Sequence, residues 1–239
     1  MCGIVGVVGN SNAVDILIQG LEKLEYRGYD SAGIYVTDAP DKGCLVKSVG
    51  RIADLRAKIS SDVKGSTGIG HTRWATHGQA TEDNAHPHTS ETGRFVLVHN
   101  GVIENYLQIK EEYLQGHKFK GQTDTEIAVH LIGKFVDEDG LSVLEALKKS
   151  LHIIQGSYAF ALVDSQAPDT IYVAKNKSPL LIGVGEGYNM VCSDAMAMIR
   201  ETSQFMEIHD KELVVLTKDA ITVTCLLYTS PSPRDAHES

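Results

Sequence analysis

The apolar positions of this chain follow two periods. Ile4 to Val8 form a short apolar run that stops at Gly9, which suits a buried strand. Behind capping candidates Ser11 and Asn12, residues Val14, Leu17, Ile18, Leu21 and Leu24 recur at helical spacing before Gly28, predicting an amphipathic helix. From Ile34 onward β-type segments alternate with helices: "GIYV", "CLVKSV", a helix near Ile52 to Ile59, then "GIGHTRW" and "RFVLVHN". The middle of the chain is helical in "ENYLQIKEEYLQG", "DTEIAVHLIGKFV" and "LSVLEALKKSLHII". Strand patterns then dominate, in "SYAFALV", "TIYVAKN", "PLLIGVG", "NMVCS", "QFMEI", "ELVVLT" and "AITVT", with a helical turn near Met196. Strands run together at both ends while helices cluster between them, so successive strands are expected to form hairpins and the class is α+β with antiparallel sheets.

Composition narrows the function. The 239 residues are 42% hydrophobic, enough for a sizeable core, and carry a net charge of -9. That charge offers no broad attraction to phosphate backbones, so nucleic acid is not an expected partner. The four cysteines, Cys2, Cys44, Cys192 and Cys225, are scattered without CxxC spacing, which favours a reducing, cytoplasmic setting. The apolar start lacks a basic n-region, and no run approaches the length of a membrane span, so neither signal peptide nor membrane contact is expected. Cysteine rather than glycine follows Met1, which excludes myristoylation. The segment 225–239, "CLLYTSPSPRDAHES", breaks the pattern with prolines and serines. It reads as a disordered tail, and its wording is similar to translated sequencing-library adaptor, a non-native addition.

Cys2 is the first candidate for chemistry. Removal of Met1 before a small residue would leave a thiol and a free α-amine on one residue. The amine titrates at roughly 7.7–8.0 and the thiol at roughly 8.5, so nucleophile and base arrive together. The plain alternative is an inert cysteine buried in a strand. The histidines His71, His77, His86, His88 and His99 raise the question of a metal, but no pair has the spacing of a helix-borne zinc motif and no thiols stand near them. Structural or substrate-shell roles are expected, with no metal and no cofactor. No phosphate-binding glycine loop of either common type is present.

Several motifs together point further. "CGIVG", "LEYRGYDSAG" at 24–33, "HTRWATHG" at 71–78, "NAHPH" at 84–88, "HNGVIEN" at 99–105 and "TDTE" at 123–126 resemble the glutaminase domain of the class II glutamine amidotransferase family, in the wording of its glutamine:fructose-6-phosphate aminotransferases. The resemblance runs from Cys2 to about Thr224, and 2–224 is expected to be the domain. It implies the N-terminal-nucleophile hydrolase fold, a four-layer αββα sandwich of two antiparallel sheets between helical layers. It also implies hydrolysis of the L-glutamine side-chain amide to glutamate and ammonia, with Cys2 as nucleophile. Asn100, through its side chain, and Gly101, through its backbone N–H, are implied as the oxyanion hole, although an Asn-Gly pair taken alone reads as a hairpin turn.

Free glutamine carries a carboxylate and an ammonium group, and the resemblance assigns them to Arg73 and Asp124. It places Trp74 over the site as a gate for ammonia, Thr76 and His77 in the glutamine shell, and Arg27 and Gly28 near the nucleophile. Taken alone, Trp74 reads as a core aromatic and Arg27 as a solvated surface charge. Family members continue into sugar isomerase domains that bind fructose 6-phosphate and make glucosamine 6-phosphate; these are absent here, and the full-length proteins are expected to be homo-oligomers. Glutaminase domains of other class II amidotransferases, a catalytically silent glutamine-binding domain, and a redox or metal-binding protein remain as alternatives.

Overall fold

The computed structural model describes residues 2–74 and 79–226. Among them run the strands β1 (Gly3–Val8), β2 (Ser31–Thr37), β3 (Cys44–Val49), β4 (Thr67–Arg73), β5 (His88–Thr89), β6 (Phe95–Ile103), β7 (Gly156–Asp164), β8 (Ile171–Asn176), β9 (Leu181–Val184), β10 (Asn189–Cys192), β11 (Gln204–Glu207), β12 (Glu212–Leu216) and β13 (Ile221–Cys225). The helices are α1 (Ala13–Leu24), α2 (Ile52–Lys58), α3 (Tyr106–Tyr113), α4 (Asp124–Asp137) and α5 (Val143–Ile153). The strands form two antiparallel sheets, ordered β11-β9-β10-β1-β4-β2-β3 and β13-β12-β8-β7-β6-β5.

Alternation along each strand sorts the side chains into three apolar layers. Ile4 and Val8 of β1 meet Val96 and Val98 of β6 between the sheets. Val5 and Val7 face the other way, onto Leu17 and Leu21 of α1. Phe95 and Leu97 turn their backs on the first sheet and pack against Ile127, Leu131 and Phe135 of α4. The result is the expected helix–sheet–sheet–helix sandwich.

Hairpins account for β2–β3, β7–β8, β9–β10 and β12–β13, but not for β1. That strand is inserted between β4 and β10, with Gly3 opposite Thr72 and Val5 opposite Cys192, because both of its faces are apolar and must be covered on either side. Two further expectations are corrected. Asn12 occupies the cap position of α1 without a side-chain bond, and Asn10 Oδ1 instead accepts from the Asn12 N–H at 3.0 Å. β13 extends through Cys225, and Leu226 is buried in the core, so the packed fold enters the segment expected to be a tail.

Leu17 is fully buried under the first sheet, so Leu17→Ala should destabilise the fold by about 2–5 kcal/mol. Urea denaturation should show a lower midpoint with an unchanged slope; an unchanged midpoint would contradict this packing.

Candidate active site

Period two delivers chemistry to the same layer that holds Ile4, Ile69 and Val98. His71 and Arg73 follow Ile69 along β4, Asn100 follows Val98 along β6, and Cys2 precedes Ile4. The start of the chain is fixed by its own backbone: the Gly3 N–H donates to Thr72 Oγ1 and the Ile4 N–H to Ser193 Oγ, each at 3.0 Å. Cys2 Sγ accepts from the Trp74 N–H at 3.2 Å. Burial pushes the Cys2 thiol up, while that N–H acts in the opposite sense.

Cys2, Arg73, Trp74, Gly101 and Asp124 line one cleft. A larger cleft elsewhere contains Arg94, but there Arg94 is held bidentately by Asp164 at 2.9 and 2.8 Å and no cysteine lines it. The smaller cleft therefore has the stronger chemical claim.

Asn100 joins the two sheets. Its Nδ2 donates to the Cys2 carbonyl at 3.1 Å, and its Oδ1 lies 2.8 Å from His71 Nε2. Because His71 Nε2 also faces the His99 carbonyl at 3.1 Å, the proton of that ring belongs on Nε2, and it fixes which end of the carboxamide faces Cys2. Asn100 and Gly101 lie inside β6, opposite Ala159 and Tyr158, which replaces the turn reading. Gly101 has φ +135, and a Cβ there would stand 2.2 Å from the Ser157 carbonyl oxygen, so only glycine lets β6 pass this close to β7.

Asp124 opens α4, where Thr123 Oγ1 caps the helix by accepting from the Glu126 N–H. The Asp124 carboxylate accepts from the Ile103 N–H at 2.8 Å, which fixes its direction and ties α4 to the end of β6. Arg73 is buried; its guanidinium donates to the Gln79 carbonyl at 3.2 Å and pairs with Asp30 at 3.6 Å. Trp74 is 52% exposed, so it is not a core aromatic. Its indole rests on Gly28, whose φ is +104 and where a Cβ would meet Trp74 Cε3 at 2.3 Å. Arg27 is a half-buried partner of Asp194, 3.7 Å away, rather than a solvated charge, and it is not among the residues lining the cleft. Thr76 and His77 lie outside the described residues.

His71, His86, His88 and His99 are all buried and do not share a common ligand point. His71 stacks on His86 at 4.1 Å, and His86 Nδ1 accepts from the His99 N–H. His99 Nδ1 meets Thr125 Oγ1 at 2.9 Å, and His88 Nε2 meets Thr123 Oγ1 at 3.0 Å. Burial pushes His71 down to about 3, His86 and His88 well below the usual imidazole range, and His99 downward. The role of His71 in aiming Asn100 was not among the sequence expectations. The available signal was its parity with Ile69 and Arg73 in β4.

A sequence profile described as glutamine amidotransferase domain matches residues 71–201, more than half of the chain. The chain belongs to the glutamine amidotransferase domain family. Within it, glutamine–fructose-6-phosphate aminotransferase (isomerizing) of Streptococcus pyogenes serotype M1 is 85% identical over 224 residues, 94% of this chain and 37% of that protein. The Streptococcus mutans serotype c protein of the same name is 83% identical over the same shares. This amidotransferase domain thus spans just over a third of the length of those curated relatives. The solved glutamine phosphoribosylpyrophosphate amidotransferase of B. subtilis, in complex with ADP and GMP, superposes with a TM-score of 0.82 at 29% identity, over 94% of this chain and 49% of that one. The fold is that of the N-terminal-nucleophile amidotransferases. Among the described residues of this family member, no helix is long and apolar enough to cross a membrane.

Two predictions follow from the geometry. The four buried histidines are neutral when folded and take up protons once unfolded below about pH 6.5. The unfolded chain then binds more protons, so stability is full above that pH and falls as pH drops toward the folded values. The slope is up to about 1.4 kcal/mol per pH unit for each histidine. Urea midpoints at pH 7.5, 6.5 and 5.5 should decline over the last interval, and a flat profile would contradict a neutral cluster. Trp74 is the single tryptophan, so fluorescence reports it alone. Gly28→Ala should shift its emission to the red and increase iodide quenching, whereas an unchanged spectrum would show that the indole does not rest on this glycine.

Proposed function

We propose that this chain hydrolyses the side-chain amide of L-glutamine to glutamate and ammonia, with Cys2 as nucleophile once Met1 has been removed. The observation that carries the reading is the single cleft lined by Cys2, Arg73, Gly101 and Asp124, with the Asn100 amide held beside Cys2. A zwitterion needs an anion and a cation on opposite sides, and Asp124 and Arg73 supply them, the arginine through a planar fork suited to a carboxylate. Thr76 and His77 complete the glutamine shell in this reading, and Arg27 and Gly28 support the nucleophile's surroundings, Gly28 by seating Trp74.

The raised thiol of Cys2 stays protonated near neutral pH, so attack requires a base. The α-amine exposed by Met1 removal takes the thiol proton, directly or through a water. The sulfur then bonds to the amide carbon, and the carbonyl oxygen becomes an oxyanion held by Asn100 Nδ2 and the Gly101 N–H. Collapse expels ammonia, which carries away the transferred proton, and leaves a γ-glutamyl thioester. Water hydrolyses the thioester to glutamate and restores the thiol. His71 acts as a positioning residue by keeping Nδ2, not Oδ1, turned toward the nucleophile. Trp74, half-exposed over the sulfur, covers the site and gates ammonia.

The close likeness to glutamine–fructose-6-phosphate aminotransferases supports a place as the ammonia-supplying domain for glucosamine 6-phosphate synthesis. Fructose 6-phosphate then concerns the part of those relatives that this chain does not span. Free cysteines at all four positions support a cytoplasmic setting.

Cys2→Ala should lower glutamine hydrolysis on the order of 10³-fold or more while leaving the urea midpoint near that of the parent. Treatment with an electrophilic glutamine analogue followed by peptide mass spectrometry should find the adduct on Cys2 of a chain lacking Met1. Retained activity in the alanine variant would exclude the mechanism.

A further inference from the structure

Away from the Cys2 cleft, three potential ligands from separate segments converge. Glu91 stands between β5 and β6, His117 between α3 and α4, and His130 within α4; one donor atom from each lies within 4.8 Å of the others. His117 Nδ1 is 3.3 Å from His130 Nδ1 and 2.9 Å from Glu91 Oε2. Two imidazole nitrogens bound tetrahedrally to one zinc ion stand about 3.3 Å apart. The nitrogen edge is therefore already at ligating distance, and the Glu91 edge needs to open only slightly.

The surroundings suit a ligand set. His117 Nε2 lies 3.1 Å from Glu138 Oε1, the kind of outer carboxylate contact that aims a metal-binding imidazole. The second oxygen of Glu91 accepts from the Lys118 N–H at 3.2 Å. His130 is buried and presents its Nδ1 to His117 from within α4. Both nitrogens of His117 face carboxylate oxygens, and Nδ1 also faces His130. His117 Nδ1 thus stands where a carboxylate oxygen and a second imidazole nitrogen converge, a donor set that one cation can share. Lys134 stands nearby, 3.7 Å from Glu138, but its closer partner is Asp139 at 2.8 Å. Glu91, His117 and Glu138 line a surface cleft, with His130 buried behind them.

We propose that Glu91, His117 and His130 bind one zinc-class divalent ion, with water as the fourth ligand and Glu138 orienting His117. The ion ties the turn before β6 and the connection before α4 onto the helix whose first residue is Asp124. The donors are one carboxylate and two imidazoles, a set that takes Zn²⁺ or Co²⁺ in preference to Ca²⁺ or Mg²⁺. The sequence gives little sign of it, because the three residues share no motif and are far apart in the chain.

The test is titration of the full chain with Zn²⁺ by calorimetry, and with Co²⁺ by absorption. One equivalent should bind, with the visible bands of four-coordinate Co²⁺ and without the near-ultraviolet band of thiolate ligation. Zn²⁺ at a hundredfold excess over Kd should raise the Tm by roughly 5 °C or more. Glu138→Gln should weaken binding roughly 10–100-fold. Glu91→Gln, at an exposed position, should weaken it by at least the same factor while leaving the metal-free Tm unchanged. Absence of binding by either ion would show that the three side chains only hydrogen-bond to one another. Thiolate bands, or affinity unchanged in both Glu91→Gln and His117→Ala, would place the ion elsewhere; each of these results overturns the proposal.

Discussion

One carboxamide links the two sheets at the place where the chemistry is concentrated. Asn100 gives its N–H to the carbonyl of Cys2 and receives the Nε2 proton of His71, so the start of β1, the end of β4 and the middle of β6 meet through a single side chain. Hydrogen bonds among buried groups hold direction because each partner has few alternatives. Removing Asn100 would take away the one side chain that bonds to both Cys2 and His71.

The same economy explains why so many imidazoles are gathered there. A charged histidine at full burial is costly, and these rings avoid the cost by remaining neutral, which gives each one a donor nitrogen and an acceptor nitrogen. Neutral rings can therefore receive from the backbone and give to hydroxyls and carbonyls alternately, as His86, His99 and His71 do. A charged amine at any of these positions would donate only. The polar layer beneath the cleft is thus built from side chains that serve as both ends of a hydrogen bond.

Most of the fold was legible from period alone. The apolar run of Ile4 to Val8, the helical spacing of Val14 to Leu24 and the strand runs after Gly156 pointed to the elements, their class and their antiparallel pairing. What period could not supply was which strands are neighbours, so the insertion of β1 between β4 and β10 lay outside its reach. At the site, Cys2, Arg73, Asn100, Gly101 and Asp124 were readable from motif and chemistry together. Asn100 and Gly101 were nevertheless ambiguous, since Asn-Gly is a turn signal, and only the pairing of β6 with β7 shows an uninterrupted strand. Trp74 was open between core and cover because exposure is a property of the packed molecule. His71 was visible as a histidine, but not as the group that orients an amide on another sheet. Glu91, His117 and His130 come together through the packing of α4, which no local pattern encodes.

The insertion of β1 also bears on the order in which the molecule can be made. β1 pairs with β4 on one edge and β10 on the other, and the Ile4 N–H donates to Ser193 Oγ, so β1 has no complete set of partners until nearly all of the sandwich exists. Contacts so distant along the chain form late. Late pairing of β1 is compatible with the removal of Met1 that the proposed mechanism requires. Once β10 closes beside it, Cys2 is enclosed. In the proposed mechanism, the interval before β1 gains its last neighbour is when the Cys2 amine is uncovered.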